Sequence, residues 1–285
     1  MEIRRLGVIA GNGPLPRETV REALRQGLPV TVAAIEEEAE AGLGDLVEGA
    51  SRRVEVMWLG VGELGRLLKT FHEAGVTHAL MVGQVRHVRV FAPRSRAHWV
   101  DLRRLPDLRA LRLLAGLESR NTEAVLKALI RTLESEGFSV LDSTAFLRHW
   151  LADGGVMTKR SPDGEEEKDI TFGLPIAREV ARLDIGQTIV IRDQTVVAVE
   201  AMEGTDAAVR RAAEMARGAS LTVVKVARPA QDFRFDVPVV GPRTLDLCAE
   251  CRVSALAVEE GRTLIIDKPR FLERADAMRL SLVGV

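Results

Sequence analysis

The stretch Leu6-Gly-Val-Ile-Ala-Gly-Asn-Gly-Pro-Leu-Pro16 decides the fold of this chain. Arg5 to Ala10 is a short apolar run, and Gly11-Asn12-Gly13 ends it, so it reads as a buried strand. Pro16 to Gln26 then carries a helical pattern, Gly27 closes it, and Pro29 to Ile35 is a second strand. The alternation continues outward. Val54 to Leu59 is a third strand, Gly60, Gly62 and Gly65 lead into a helix reaching about Ala74, and Ala79 to Val82 is a fourth strand that ends at Gly83-Gln84-Val85. Strand, turn, helix and strand in this order predict βαβ units and a parallel sheet. Such sheets bind ligands beyond the carboxyl ends of their strands.

Val100 to Gly137 reads as helical, with Leu102, Leu105, Leu108, Leu111, Leu114 and Leu117 at every third position. Pro106 interrupts or starts a helix there. Asn121 caps a second helix, Glu123 sits in its first turn, and Gly137 stops it. The texture then changes, which predicts a first domain over 1–137 and a second over 138–285. In the second, Phe138 to Leu141 is a short strand, and Asp153-Gly154-Gly155 reads as a loop. Ser161 to Asp169 reads as a solvated polar excursion. Strands are expected at Thr188–Ile191, Val196–Glu200, Leu221–Val226, Ala255–Val258 and Thr263–Ile266. Helices are expected near Ala207–Ala216, Thr244–Cys251 and Pro269–Met278.

The composition fits this plan and excludes other classes. A length of 285 residues suits about two domains. Forty basic against forty-one acidic residues, with 46% hydrophobic and 28% charged, describe a globular chain and not a disordered one. The balance argues against a nucleic-acid partner, and an aromatic content of 4% with no Tyr leaves few stacking platforms. Two cysteines, Cys248 and Cys251, cannot build a disulfide framework, so a reducing, cytoplasmic setting is expected. The run Leu6 to Ala10 is too short for a secretory h-region, and no run of 18 apolar residues exists.

Three stretches carry candidate chemistry. The first is Gly11-Asn12-Gly13-Pro14-Leu15-Pro16. Three readings fit it: a plain strand-to-helix turn, a phosphate or ligand turn, and a nicotinamide dinucleotide site with Glu36 as the acidic partner. Pro16, in place of the third glycine of that fingerprint, counts against the last. The second is Glu200-Ala-Met-Glu203-Gly-Thr-Asp206, with three carboxylates in seven residues at a strand end and a helix start. Their repulsion is relieved by a hard cation or by arginines, and an oxygen-only set favours Mg²⁺ or Mn²⁺ over zinc. The bland alternative makes Asp206 an N-cap and leaves the glutamates in solvent. The third is Lys225 to Pro238, which gathers Lys225, Arg228, Gln231, Asp232, Arg234 and Asp236. These groups suit phosphates and metals, or alternatively form surface ion pairs. Asp184-Ile-Gly-Gln187 either caps structure or reaches a ligand. The pair Cys248 and Cys251 reads as two buried small residues, since no second metal pair follows.

Four stretches in order resemble a known family: Leu6 to Pro16, Arg182 to Gln187, Val199 to Asp206, and Lys225 to Gly241 with Phe-Asp-Val-Pro inside. They are similar to the UDP-2,3-diacylglucosamine pyrophosphatases of lipid A biosynthesis, of the type unrelated to metallophosphoesterases. The resemblance implies a Rossmann-like N-terminal domain joined to a distinct α/β C-terminal domain, with substrate held between them. It implies Mg²⁺-dependent hydrolysis of the lipid-linked UDP-sugar to UMP and 2,3-diacylglucosamine 1-phosphate, with water directed at the β-phosphorus. It further implies a homodimer working at the cytoplasmic face of the inner membrane, in peripheral contact with it. The family's catalytic aspartate falls on Asp236. Some members carry Gly-Asp-Asp where this chain has Arg120-Asn121-Thr122, a departure that bears on the exact substrate.

The expected site follows. Glu200, Glu203, Asp206 and Asp236 are the candidate catalytic and metal-binding carboxylates. Gly11, Asn12, Gly13, Pro14, Leu15, Gln84, Asn121, Thr122, Gln187, Thr205, Lys225, Gln231, Asp232 and Arg234 are the candidate substrate contacts. The competing readings are an NAD(P)-dependent oxidoreductase and a non-catalytic nucleotide-sugar or lipid-binding protein.

Overall fold

A computed structural model describes residues 2–36, 38–43, 53–85, 106–117, 119 and 121–285. The chain divides into two compact units. The first comprises Met1–Leu147 with Phe233–Phe235, and the second Arg148–Asp232 with Asp236–Val285.

In the first unit the described strands are β1 (Leu6–Ala10), β2 (Val30–Ile35), β3 (Val54–Leu59), β4 (His78–Val82) and β5 (Ser139–Val140). They form one parallel sheet in the order β3-β2-β1-β4-β5, the doubly wound arrangement that βαβ units build. Helix α1 (Leu15–Arg25) packs Val20 and Ala23 on one face, against Val8, Val32 and Leu80. Helices α2 (Leu64–Glu73), α3 (Leu108–Ala115) and α4 (Thr122–Ser135) cover the other face, with Phe71, Ala110, Ile130 and Leu133 against Ile9, Ala33 and Met81. Burial on both faces is why β1 and β4 read as unbroken apolar runs and not as alternating ones. Asp107 caps α3 by accepting from the Ala110 N–H at 2.8 Å, which places the helix start just after Pro106. The expected helical stretch from Val100 to Leu105 lies outside the described residues, as do His87, His98 and Arg120. Strand β5 pairs with β4, so the first unit runs on to Leu147, past the boundary expected near residue 137.

The second unit holds a six-stranded mixed sheet. Its strands are β6 (Gly155–Val156), β7 (Thr188–Arg192), β8 (Thr195–Val199), β9 (Leu221–Lys225), β11 (Val253–Val258) and β13 (Ser281–Gly284), in the order β6-β13-β11-β9-β7-β8. A two-stranded piece pairs β10 (Val239–Val240) with β12 (Leu264–Ile265). Alternation along the strands feeds two cores. Ile189, Ile191 and Val224 face helix α5 (Gly164–Arg182). Val190, Val223 and Leu256 face α6 (Thr205–Ala216), α7 (Pro242–Glu250) and α8 (Lys268–Ala277). Strands β7 and β8 join through Asp193 and Gln194, both at positive φ (51° and 54°), as a two-residue hairpin turn needs.

Two expectations are corrected here. The polar run Ser161 to Asp169 is mostly exposed, as expected, but it is not a loop, because a 19-residue helix begins at Gly164. Asp163 accepts from the Glu166 N–H at 3.0 Å, and Glu166 accepts from the Asp163 N–H at 2.9 Å, closing a capping box. Arg160 bonds both Glu166 oxygens at 2.8 Å, and buried Asp169 accepts from the Gln194 N–H at 2.6 Å. Glu166 and Asp169 are therefore paired inward, while Asp163, Glu165, Glu167 and Lys168 are exposed. The loop at Asp153 to Gly155 likewise contributes to a strand, since Gly155 and Val156 pair with β13. Cys248 and Cys251 are buried and free, and burial pushes the Cys248 thiol up to about 12, so the pair is inert as read.

Candidate active site

The glycine turn follows β1. Asn12 and Gln84 form an antiparallel bridge, with N–H to carbonyl distances of 2.7 and 3.0 Å. A Cβ on Gly11 would lie 2.7 Å from the Gln84 carbonyl oxygen, and one on Gly83 would lie 2.7 Å from the Asn12 carbonyl oxygen. Glycine at these positions therefore serves the close approach of two loops. Asn12, Pro14 and Gln84 are exposed and Gly13 is half-buried. Pro14 is the N-cap of α1 without any capping side chain, while Leu15 packs on the core under that helix. Asn121 is spent locally, since its side chain caps α4 by accepting from the Ala124 N–H at 2.8 Å. Thr122 is the first residue of that helix.

The second unit gathers the charged groups. Glu200 follows β8 and is buried, with one oxygen accepting from the Gln187 N–H at 3.3 Å and the other from the Thr205 hydroxyl at 2.9 Å. Lys225 ends β9 and is 7% exposed. Its ammonium donates to Thr205 Oγ1 at 3.0 Å and reaches Thr188 Oγ1 at 3.5 Å. Burial holds the Lys225 pKa below the ordinary lysine value, against the opposing pull of Glu200, Asp206 and Asp236. The charges of three carboxylates from three segments thus act on this one ammonium, whose direct contacts are the two threonine hydroxyls. Asp206, in the first turn of α6, is half-exposed and lies 3.8 Å from Arg243. Asp236 is also half-exposed, lies 3.8 Å from Arg228, and donates its backbone N–H to the Asp232 carbonyl at 3.0 Å. Arg228 also meets Asp184 at 3.1 Å.

Other expected residues stand apart. Glu203 points away to Arg211 at 2.8 Å. Arg234 lies with the first unit, where it meets Glu134 at 3.1 Å, while the Phe233 carbonyl accepts from the Ser143 N–H at 3.0 Å. Gln231 accepts from the Arg228 N–H at 2.8 Å. The Gln231 Nε2 and Gln187 Oε1 atoms are buried without a hydrogen-bond partner, which marks both amides as groups a ligand or water can satisfy. Sequence reasoning missed Arg228 as a neighbour of Asp236 and Thr188 as a partner of Lys225. The position of Thr188 as first residue of a strand beside β9 was the only signal for it.

The four carboxylates do not form a metal cage. Among the described residues no three His, Cys, Asp or Glu side chains converge to hold an ion. Glu200 spends both oxygens on internal donors and Glu203 on Arg211, which leaves Asp206 and Asp236 with open oxygen.

A parallel sheet with a glycine turn in one unit, and a mixed sheet with carboxylates around a buried lysine in the other, define a two-domain α/β protein. Family models match both halves: the LpxI N-terminal domain over residues 5–150 and the LpxI C-terminal domain over residues 153–283. The chain belongs to the LpxI family. It is 31% identical to the UDP-2,3-diacylglucosamine pyrophosphatase LpxI of Caulobacter vibrioides, over 99% of this chain and 98% of that protein. Among solved structures, the Bordetella bronchiseptica enzyme WbmG, in complex with NAD and UDP, overlaps 48% of this chain and 36% of its own. That overlap has 17% identity and a TM-score of 0.28, too slight to support any statement on fold or ligand. Among the described residues no helix is long and apolar enough to cross a membrane.

Proposed function

We propose that this chain hydrolyses the pyrophosphate bond of UDP-2,3-diacylglucosamine, giving UMP and 2,3-diacylglucosamine 1-phosphate. The half-exposed Asp206 and Asp236, each beside an arginine and carried on segments next to the buried Lys225–Thr205–Glu200 hydrogen bonds, carry this reading. A diphosphate needs its charge offset and a water aligned for in-line attack, and carboxylates mixed with cations supply both. The near full-length similarity to the Caulobacter vibrioides enzyme supports the substrate.

In this reading Asp236 accepts a proton from the attacking water at its carboxylate. The water oxygen bonds to the β-phosphorus, the bridging P–O bond breaks, and UMP leaves with the bridging oxygen. Arg228, beside Asp236, offsets developing phosphate charge. The first turn of α6, which no side chain caps, leaves N–H groups that suit a phosphate oxygen. A Mg²⁺ or Mn²⁺ ion held by Asp206, Asp236 and the phosphates would neutralise the diphosphate. The acyl chains need apolar surface, and exposed Leu183, Ile185 and Met202 supply it on two loops that meet where Gly186 packs on Glu200.

UMP release from UDP-2,3-diacylglucosamine, with Mg²⁺ and then with excess EDTA, tests the reading. Release that EDTA abolishes is the expected result. Folded protein that releases no UMP overturns it. Running the reaction in ¹⁸O-water sharpens the step, since attack at the β-phosphorus places the label in the lipid phosphate and not in UMP.

A further inference from the structure

Lys225 and Glu200 are both buried, and yet they do not touch. Among the described residues Lys225 makes no direct ion pair, and the Thr205 hydroxyl stands between the two charges. The bonds run in one direction. Lys225 donates to Thr205 Oγ1 at 3.0 Å, and Thr205 donates to Glu200 Oε1 at 2.9 Å. The second Glu200 oxygen takes the Gln187 N–H at 3.3 Å, and Thr188 Oγ1 lies 3.3 Å from Thr205 Oγ1. Four segments are tied at one hydroxyl: the start of β7, the end of β8, the end of β9 and the start of α6.

Thr205 is the first residue of α6 and Asp206 the second. The N-cap, Gly204, has no side chain to bond the first turn, and no other side chain caps it. The usual device that fixes a helix start is therefore missing, and the Thr205 bridge replaces it. Burying two charges through a hydroxyl costs desolvation that a plain apolar contact would not. A fold seeking only stability has cheaper ways to end a strand and begin a helix.

We propose that Lys225, Thr205 and Glu200 form a buried, hydroxyl-bridged charge pair that positions the first turn of α6, and through it Asp206, for the reaction. Lys225 and Glu200 are then positioning residues, not substrate or metal ligands. The proposal rests on the reaction assigned above for its kinetic half only.

The test is a double-mutant cycle of Glu200→Gln and Lys225→Met in the full chain, read by melting temperature and by UMP release. Each single variant leaves one buried charge uncompensated, so each lowers the melting temperature. The double variant removes both charges, and its melting temperature returns well above the sum of the two losses. Turnover does not return with it, because the bridge that sets Asp206 is gone. The expected kcat of the double variant is more than thirtyfold below wild type, with KM within about threefold. Thr205→Val repeats the kcat loss and abolishes the stability coupling, and Thr205→Ser recovers most of both.

Additive melting losses overturn the proposal, as does a tenfold rise in KM with kcat held, which would make these residues direct ligands. If wild type releases no UMP, the reaction assignment fails on its own. The melting cycle still decides whether the bridge couples the two charges.

Discussion

The turn after β1 and the turn after β8 are built alike in outline, since each ends a strand, passes through glycine and starts a helix. They are closed by different means. The first closes with backbone: Asn12 and Gln84 exchange N–H to carbonyl bonds, and Gly11 and Gly83 let the two chains approach. The second closes with side chains, as Glu200, Thr205 and Lys225 lock strand ends to a helix start. A turn closed by backbone holds a shape and carries no charge of its own. A turn closed by charged side chains holds a shape and a field together. The comparison shows why a glycine turn after a strand says little about chemistry, whereas a carboxylate-rich one says much.

The largest effect that would break the comparison is at Asp236. Asp236→Ala should lower kcat at least a hundredfold, about 2.7 kcal/mol of barrier, while UMP still binds. Arg228 keeps Asp184 as a partner in that variant, so the fold should hold. Steady-state UMP release with a parallel binding titration checks it. More than a tenth of wild-type kcat would remove Asp236 from the centre of the reaction and leave the charged turn as scaffold.

The next effect belongs to the backbone-closed turn. In Gly11→Ala the added Cβ meets the Gln84 oxygen at 2.7 Å and the Gly83 carbon at 2.9 Å, both backbone atoms that cannot swing aside. Forced overpacking of this kind costs about 1–3 kcal/mol. Gly13→Ala meets nothing within 4 Å, and suffers only its φ of +97°, at about 1 kcal/mol. Denaturant titration should rank Gly11→Ala as the more damaging. The reverse order would mean that the bridge to Gln84 does not close this turn.

The sequence made the first sheet legible because β1, β2 and β4 are buried on both faces and glycines punctuate it. Period and breaker residues together named β1 to β4 and the helices between them. Ser161 to Asp169 is mostly exposed as read, but its helix start and its two buried carboxylates, Glu166 and Asp169, were missed because a run of charge was equated with a loop. Asp163-x-x-Glu166 was the available signal, a capping box written in carboxylates, and Arg160, three residues before it, was the half-buried partner of the buried Glu166. The charged stretches of the site were legible as clusters, and the sorting within them was not. Nothing in Glu200-Ala-Met-Glu203 says that the first glutamate turns inward to Thr205 and the second outward to Arg211. That depends on β9 bringing Lys225 beside α6, a contact between residues twenty positions apart.

The smallest expected effect sets the two units against each other by pH. Each buries one basic group that burial keeps below its ordinary pKa, His78 on β4 and Lys225 on β9. A lowered base binds its proton less well when folded than when unfolded, so both make stability rise with pH. The windows differ. For His78 the stabilising difference is fully present above the unfolded value of 6.5, and it is lost as pH falls from there through the lowered folded value. For Lys225 the relief comes as pH climbs from its lowered folded value toward 10.5. Amide hydrogen exchange at pH 7.5 and pH 5.5, corrected for intrinsic rates, should therefore show β4 and its neighbour β1 losing protection on acidification before β9 does. His78→Gln should flatten that loss in the first unit and leave β9 unchanged. Equal loss in both units would mean that a group outside β4 governs the acid limb, and that the backbone-closed half is no more acid-sensitive than the charged one.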